Sequence, residues 1–94
     1  MEKEYYIYVL QSETTGKVYI GQTSELAKRI AQHNDPENKL TKYTKRNRGP
    51  WHLVHQEVYK SRLEARNRER VLKSGKGRQW LRDVILTASN SQVR

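Results

Sequence analysis

Five side chains of this sequence are of types that could do chemistry: Tyr8, Tyr19, Arg29, His33 and Glu69. Phenols, imidazoles and carboxylates move protons, guanidinium groups stabilise negative charge, and a carboxylate can hold a hard cation. The two tyrosines lie in Tyr5-Tyr6-Ile7-Tyr8-Val9-Leu10 and Lys17-Val18-Tyr19-Ile20-Gly21, two β-branched and aromatic stretches joined by a turn containing Ser12, Thr14, Thr15 and Gly16. That composition predicts a β-hairpin. Side chains alternate along a strand, so Tyr6, Tyr8 and Leu10 share one face of the first strand and Tyr5, Ile7 and Val9 the other. With Ile7, Val9, Val18 and Ile20 turned to the core, Tyr8 and Tyr19 meet on the opposite, exposed face beside Gly21. Strands favour tyrosine in any case, so on the hairpin alone ordinary packing is the leading account of the phenols.

The elements beyond the hairpin decide what those phenols could meet. Thr23 and Ser24 offer an N-cap for a helix over about residues 25 to 33, with Leu26, Ala27, Ile30 and Ala31 as its apolar stripe. Arg29 and His33 stand four apart, on the same side of that helix. Residues 34–50 read as a loop carrying Lys39, Lys42, Lys45, Arg46 and Arg48 with Tyr43 among them, a set suited to phosphate contacts or to a solvated surface. Trp51 to Tyr59 reads as a third strand, with Leu53, Val54 and Val58 supplying burial. His52 and His55, three apart in a strand, should point to opposite faces and make a poor shared metal site.

Ser61 and Glu64 form a capping box for a second helix, which runs to about Lys73 and ends at Ser74-Gly75. At about 100° per residue, Glu69 falls about 40° to one side of Ala65 and Leu72 about 20° to the other. A carboxylate therefore sits within the small apolar stripe, flanked by Arg62, Arg66, Arg68, Arg70 and Lys73. It either pairs with Lys73 one turn on or serves as a metal ligand. A third helix follows Gly77-Arg78 with Trp80, Leu81, Val84 and Ile85 as its stripe, and residues 88–94 lack any burial pattern. Residues 1–87 form one domain in this reading, and 88–94 a disordered tail.

Charge points to a partner. Nineteen basic residues oppose ten acidic ones, giving a net charge of +9, and the excess lies wholly beyond the hairpin. Such a domain suits a polyanion, most simply a nucleic acid. No run approaches the ~20 apolar residues that span a bilayer, and no helix pairs a wide apolar face with a basic one, so a membrane is not expected. The charged Met1-Glu2-Lys3-Glu4 does not resemble a signal peptide, and with no cysteine in the chain a reducing, cytoplasmic setting is expected.

Taken together, Tyr6-Ile7-Tyr8, Tyr19-Ile20-Gly21, Arg29, His33 and Arg68-Glu69 resemble the GIY-YIG nuclease family over nearly the whole chain to about residue 87. The resemblance is closest to small stand-alone members, including the type related to the catalytic subunit of Slx-type structure-specific endonucleases. Tyr6 replaces the glycine of the first motif, while Tyr8 keeps its closing tyrosine. A late asparagine of some members has no counterpart here, Asn90 falling in the expected tail. The resemblance implies an α+β fold, with a three-stranded, mainly antiparallel sheet in the order β-β-α-β-α-α and helices packed against it. It implies an endonuclease acting on duplex or branched DNA, in repair or recombination, with Mg²⁺ or Mn²⁺ held by Glu69. Tyr8, Tyr19, Arg29 and His33 complete the implied catalytic set, and a protein partner could supply specificity. Two other classes fit parts of the pattern. A catalytically silent nucleic-acid-binding module would use only the fold and basic surface, and a ribosome-associated basic protein would use only the charge.

Overall fold

The computed structural model describes residues 3–35 and 49–93, with side chains through residue 84. The hairpin is present as β1 (Tyr5–Ser12) and β2 (Val18–Thr23), antiparallel, with Tyr8 opposite Gly21 and Val9 opposite Ile20. Its turn closes through Ser12, whose Oγ accepts from the Thr15 amide at 3.0 Å and whose carbonyl accepts from the Gly16 amide at 2.9 Å. Gly16 has φ 76°, a left-handed conformation that a β-carbon would oppose.

Helix α1 (Leu26–Asn34) follows, then β3 (Trp51–Tyr59), α2 (Arg62–Lys73) and α3 (Gly75–Val93). The sheet order is β2-β1-β3, antiparallel throughout, giving the expected α+β architecture. No helix among the described residues is long and apolar enough to cross a membrane. The strand β1 is therefore central, and both of its faces are covered. Ile7, Val9 and Ile20 pack with Ala65 and Leu72 of α2 and Leu81 of α3. On the other face Tyr8, Leu10 and Trp51 pack with Tyr19 and with Leu26 and Ile30 of α1. Truncating Leu72, fully buried in the first cluster, to alanine should cost about 2–5 kcal/mol.

Half of the expected capping box forms: Ser61 Oγ accepts from the Glu64 amide at 3.1 Å, while the Glu64 carboxylate accepts from the Ser61 hydroxyl, also at 3.1 Å. Ser74 then separates α2 from α3, its Oγ accepting from the Gly77 amide at 3.2 Å. Other expectations need correction. Glu25, not Thr23 or Ser24, is the N-cap residue of α1, and Thr23 Oγ1 instead accepts from the Glu25 amide at 3.0 Å. Ala27 and Ala31 are exposed, and the buried residue of α1 is His33. In β3 it is Trp51 that is buried, while Leu53 and Val58 are exposed.

A β-bulge explains a further difference. The register shifts between Val9 and Leu10, which oppose His55 and Leu53, so Val54 is the extra residue. His55 opposite Val9 and His52 opposite Gln11 thus belong to the same face of the sheet, not to opposite faces. They keep separate partners: His52 Nε2 lies 2.7 Å from Glu13, and His55 Nε2 lies 2.8 Å from Glu57. The backbone of α3 is helical to Val93, through the stretch expected to be a disordered tail.

Candidate active site

Tyr8, Tyr19 and His33 come together on the α1 side of the sheet. Tyr8 projects from the central strand, and its hydroxyl lies 3.0 Å from His33 Nε2. The ring centroids of Tyr8 and Tyr19 are 6.1 Å apart, and those of Tyr19 and His33 are 4.8 Å apart. The exposed phenol expected at position 8 is in fact 1% accessible, because α1 and Trp51 cover this face.

Gly21 makes the seat for that phenol. A β-carbon there would lie 2.6 Å from the Tyr8 hydroxyl oxygen and 2.7 Å from Cζ. The glycine of Tyr19-Ile20-Gly21 is thus required by close approach across the hairpin, where its backbone has ordinary negative-φ geometry. Asn34, which in the sequence reads only as the start of a turn, is the last residue of α1 and fixes its C-terminus. Its side chain accepts from the Trp51 amide at 2.6 Å and donates to the Trp51 carbonyl at 3.0 Å. That clamp holds α1, and with it His33, against the start of β3.

Electrostatics join the remaining candidates to the same phenol. Burial raises the Tyr8 hydroxyl above its ordinary range; Tyr19 adds to this, Arg29 opposes it, and Glu69 raises it further. Burial lowers His33 to about 4, helped by the Arg29 charge. His33 is therefore neutral at pH 7, and Tyr8 keeps its proton. Arg29 is half-buried and, among the described residues, makes no ion pair. A guanidinium in the electrostatic field of Tyr8 and His33, with no ion pair among the described residues, is a candidate anion site.

Glu69 hangs from α2, which packs on the opposite face, and reaches the hollow beside Gln22 of β2. Its carboxylate is held by Lys73 Nζ at 2.7 Å, so the pairing weighed from the sequence does form. No group of three His, Cys, Asp or Glu residues occurs among the described residues. A metal at Glu69 would thus have one carboxylate, with water and substrate oxygens completing its shell, an arrangement that suits Mg²⁺. The cationic residues Lys39, Lys42, Lys45, Arg46 and Arg48 lie outside the described residues.

A cluster that the sequence reading missed stands on the α2 side, at the β3 edge. Arg68 binds Glu57 through two nitrogens at 2.8 and 3.0 Å, while His55 and Tyr59 also hydrogen-bond that carboxylate. Burial raises the pKa of the Glu57 carboxyl less than these hydrogen bonds and the Arg68 charge lower it, and the net result is about 2. Trp80, 42% exposed instead of buried, packs edge-on against His55 and under the Arg68 guanidinium. Arg68 and Glu69, adjacent in sequence, therefore serve opposite edges of the sheet. The available signal was Glu57 itself, an acid inside a strand.

Comparison with known proteins gives the family. The profile of the GIY-YIG catalytic domain matches residues 4–82. A UPF0213 protein of Staphylococcus haemolyticus is 37% identical over 86% of this chain and 94% of its own length. The human structure-specific endonuclease subunit SLX1 is 38% identical over 53% of this chain, a match that spans 18% of the human protein. The solution structure of the UPF0213 protein BH0048 from Bacillus halodurans superposes with a TM-score of 0.51 at 32% identity, covering 86% of this chain and 84% of that one. With both halves of its hairpin motif folded around Tyr8 and the profile matched across both core clusters, the chain belongs to the GIY-YIG catalytic domain family.

Proposed function

We propose that this protein is a divalent-cation-dependent endonuclease that hydrolyses DNA phosphodiester bonds. One observation carries the reading: Tyr8 donates its chemistry from a seat formed by Gly21 and His33, and the charges of Arg29 and Glu69 both act on it. Ordinary packing does not require a guanidinium, a single carboxylate and a buried phenol from three elements, α1, α2 and β1, to lie within electrostatic reach of one another. A silent binding module would need none of them.

Glu69 would hold Mg²⁺ or Mn²⁺, which when bound supplies positive charge at the scissile phosphate and acidifies water. Arg29 binds the phosphoryl oxygens and stabilises the charge that develops on them. Tyr8 keeps its proton in the free protein, so its first role is to orient the attacking water through an oxygen lone pair. In this assignment the Tyr8 hydroxyl donates to unprotonated His33 Nε2, and the proton released from water leaves through Tyr8 towards that imidazole. Tyr19 packs against both rings and limits their movement. Lys39, Lys42, Lys45, Arg46 and Arg48 would bind flanking phosphates without reading sequence.

The human relative is a subunit of a structure-specific endonuclease by name. Branched DNA is accordingly the substrate to try beside duplex, and a specificity-giving protein partner is part of the proposal. Glu69→Gln is the deciding variant, because it keeps shape and removes the charge that holds the cation. Wild-type protein should nick supercoiled or branched DNA with Mg²⁺ or Mn²⁺ and not in EDTA. The variant should bind DNA, melt like the wild type and fail to nick. Nicking by Glu69→Gln at the wild-type rate would rule out the metal assignment.

A further inference from the structure

The second helix carries five cations, and the structure separates them by partner. Arg68 is committed to Glu57, Arg62 lies 5.0 Å from the Tyr5 ring, and Lys73 sits on Glu69. Arg66 and Arg70 are exposed and, among the described residues, make no ion pair. Both line the hollow beside Glu69, together with Gln22, Lys73 and Ser74. Relative to Glu69, Arg66, Lys73 and Arg70 fall about 60°, 40° and 100° to one side of the helix, and Arg68 about 100° to the other. The stripe from Arg66 to Lys73 extends about 10 Å along the axis at ~1.5 Å per residue.

We propose that Arg66, Arg70 and Lys73 form a docking rim for a nucleic-acid backbone, leading the strand past Glu69. Phosphates on one strand of a duplex recur every ~3.4 Å along its axis, so a ~10 Å rim meets about three of them. Lys73 has a double task. With no cation at the carboxylate it neutralises Glu69; when that charge is satisfied otherwise, its ammonium joins the rim. An ammonium on a four-carbon stem can make that exchange where a rigid guanidinium fork could not. The proposal deepens the endonuclease reading and rests on it for the identity of the polyanion. Simple solubility is the competing account, and it predicts no loss of specific contacts.

The experiment measures affinity for a short random-sequence duplex as a function of salt, in EDTA so that nothing is cut. Each phosphate contact contributes ~0.9 to the slope of log affinity against log salt. Arg66→Gln/Arg70→Gln should lower that slope by ~1.8, and Arg66→Lys/Arg70→Lys should restore most of it. Glu69→Gln, which releases Lys73, should steepen the slope by ~0.9, and adding Lys73→Gln should cancel the gain. An unchanged slope in Arg66→Gln/Arg70→Gln, from a wild type that binds and nicks DNA, overturns the rim and leaves the endonuclease standing. An unchanged slope in Glu69→Gln removes Lys73 from the rim. Wild-type protein that neither binds nor nicks any DNA overturns both readings.

Discussion

Gly21→Ala tests the seat of the phenol with a single methyl group. The new β-carbon would stand 2.6 Å from the Tyr8 hydroxyl and 2.7 Å from its Cζ, whereas ordinary contact begins at 3.4 Å. The ring must therefore shift by about 0.8 Å. A surface tyrosine would swing away at small cost, but Tyr8 is 1% exposed and bound to His33 at 3.0 Å. Overpacking of this kind costs about 1–3 kcal/mol, and displacement of a reacting group by ~1 Å costs about 10²-fold in rate. The variant should remain folded, melt lower and nick supercoiled plasmid about 10²-fold more slowly. Most of the rate loss acts through the Tyr8 hydroxyl, so Gly21→Ala should add little to Tyr8→Phe in a double-mutant cycle. Wild-type nicking by Gly21→Ala would refute the argument that the seat positions a catalytic group, and so would strict additivity with Tyr8→Phe.

Other perturbations probe the neighbouring groups. Tyr8→Phe alone should fold and lose at least ~10²-fold in nicking, with an unaffected rate meaning that the phenol is structural. His33 is held neutral, its folded value of about 4 lying below the ordinary 6.5. The unfolded chain therefore binds more protons between those values, and stability is full above pH ~6.5 and falls by up to ~3 kcal/mol as pH drops towards 4. Denaturant melts across that range should show a smaller loss for His33→Gln; identical profiles would refute the assignment. Arg68→Met leaves Glu57 without its main partner and should cost ~3 kcal/mol in urea melts, part of it recovered in Glu57→Gln/Arg68→Met. An equal loss in the double variant would mean that the cost is packing alone. Neutralising Lys42, Lys45 and Arg46 should weaken binding to all duplex sequences alike and reduce the salt slope by ~0.9 per true contact.

What could be read from the sequence was mainly local. The hairpin followed from alternation and Gly16, and the start of α2 from Ser61 and Glu64, because each depends on residues within a few positions. The meeting of Tyr8, Tyr19 and His33 was legible through the spacing of the family's motifs. The burial of Tyr8 was not, because alternation separates inside from outside only when one face of a sheet is wet. In the central strand both faces are covered, and the charge-free run from Tyr5 to Ser12 is the trace of it. The common face of His52 and His55 depends on a bulge at Val54, which no local residue type announces. Arg68 looked like one more solvated cation, since its partner Glu57 lies in another element.

The central position of β1 has a consequence for how this protein can fail. Tyr8 hangs from the one strand whose main chain is laddered on both sides, to β2 and to β3. Amides in such a strand exchange with solvent mainly through global opening, whereas outer strands and helix ends fray locally. Deuterium uptake at Val9 should therefore report the stability of the whole domain, and uptake at the ends of β2 and β3 should run ahead of it. Detaching the Tyr8 backbone from its two neighbours should accordingly require opening of the whole sheet. Activity and foldedness should be lost in one cooperative step, which would make cutting itself a sensitive gauge of the native fraction.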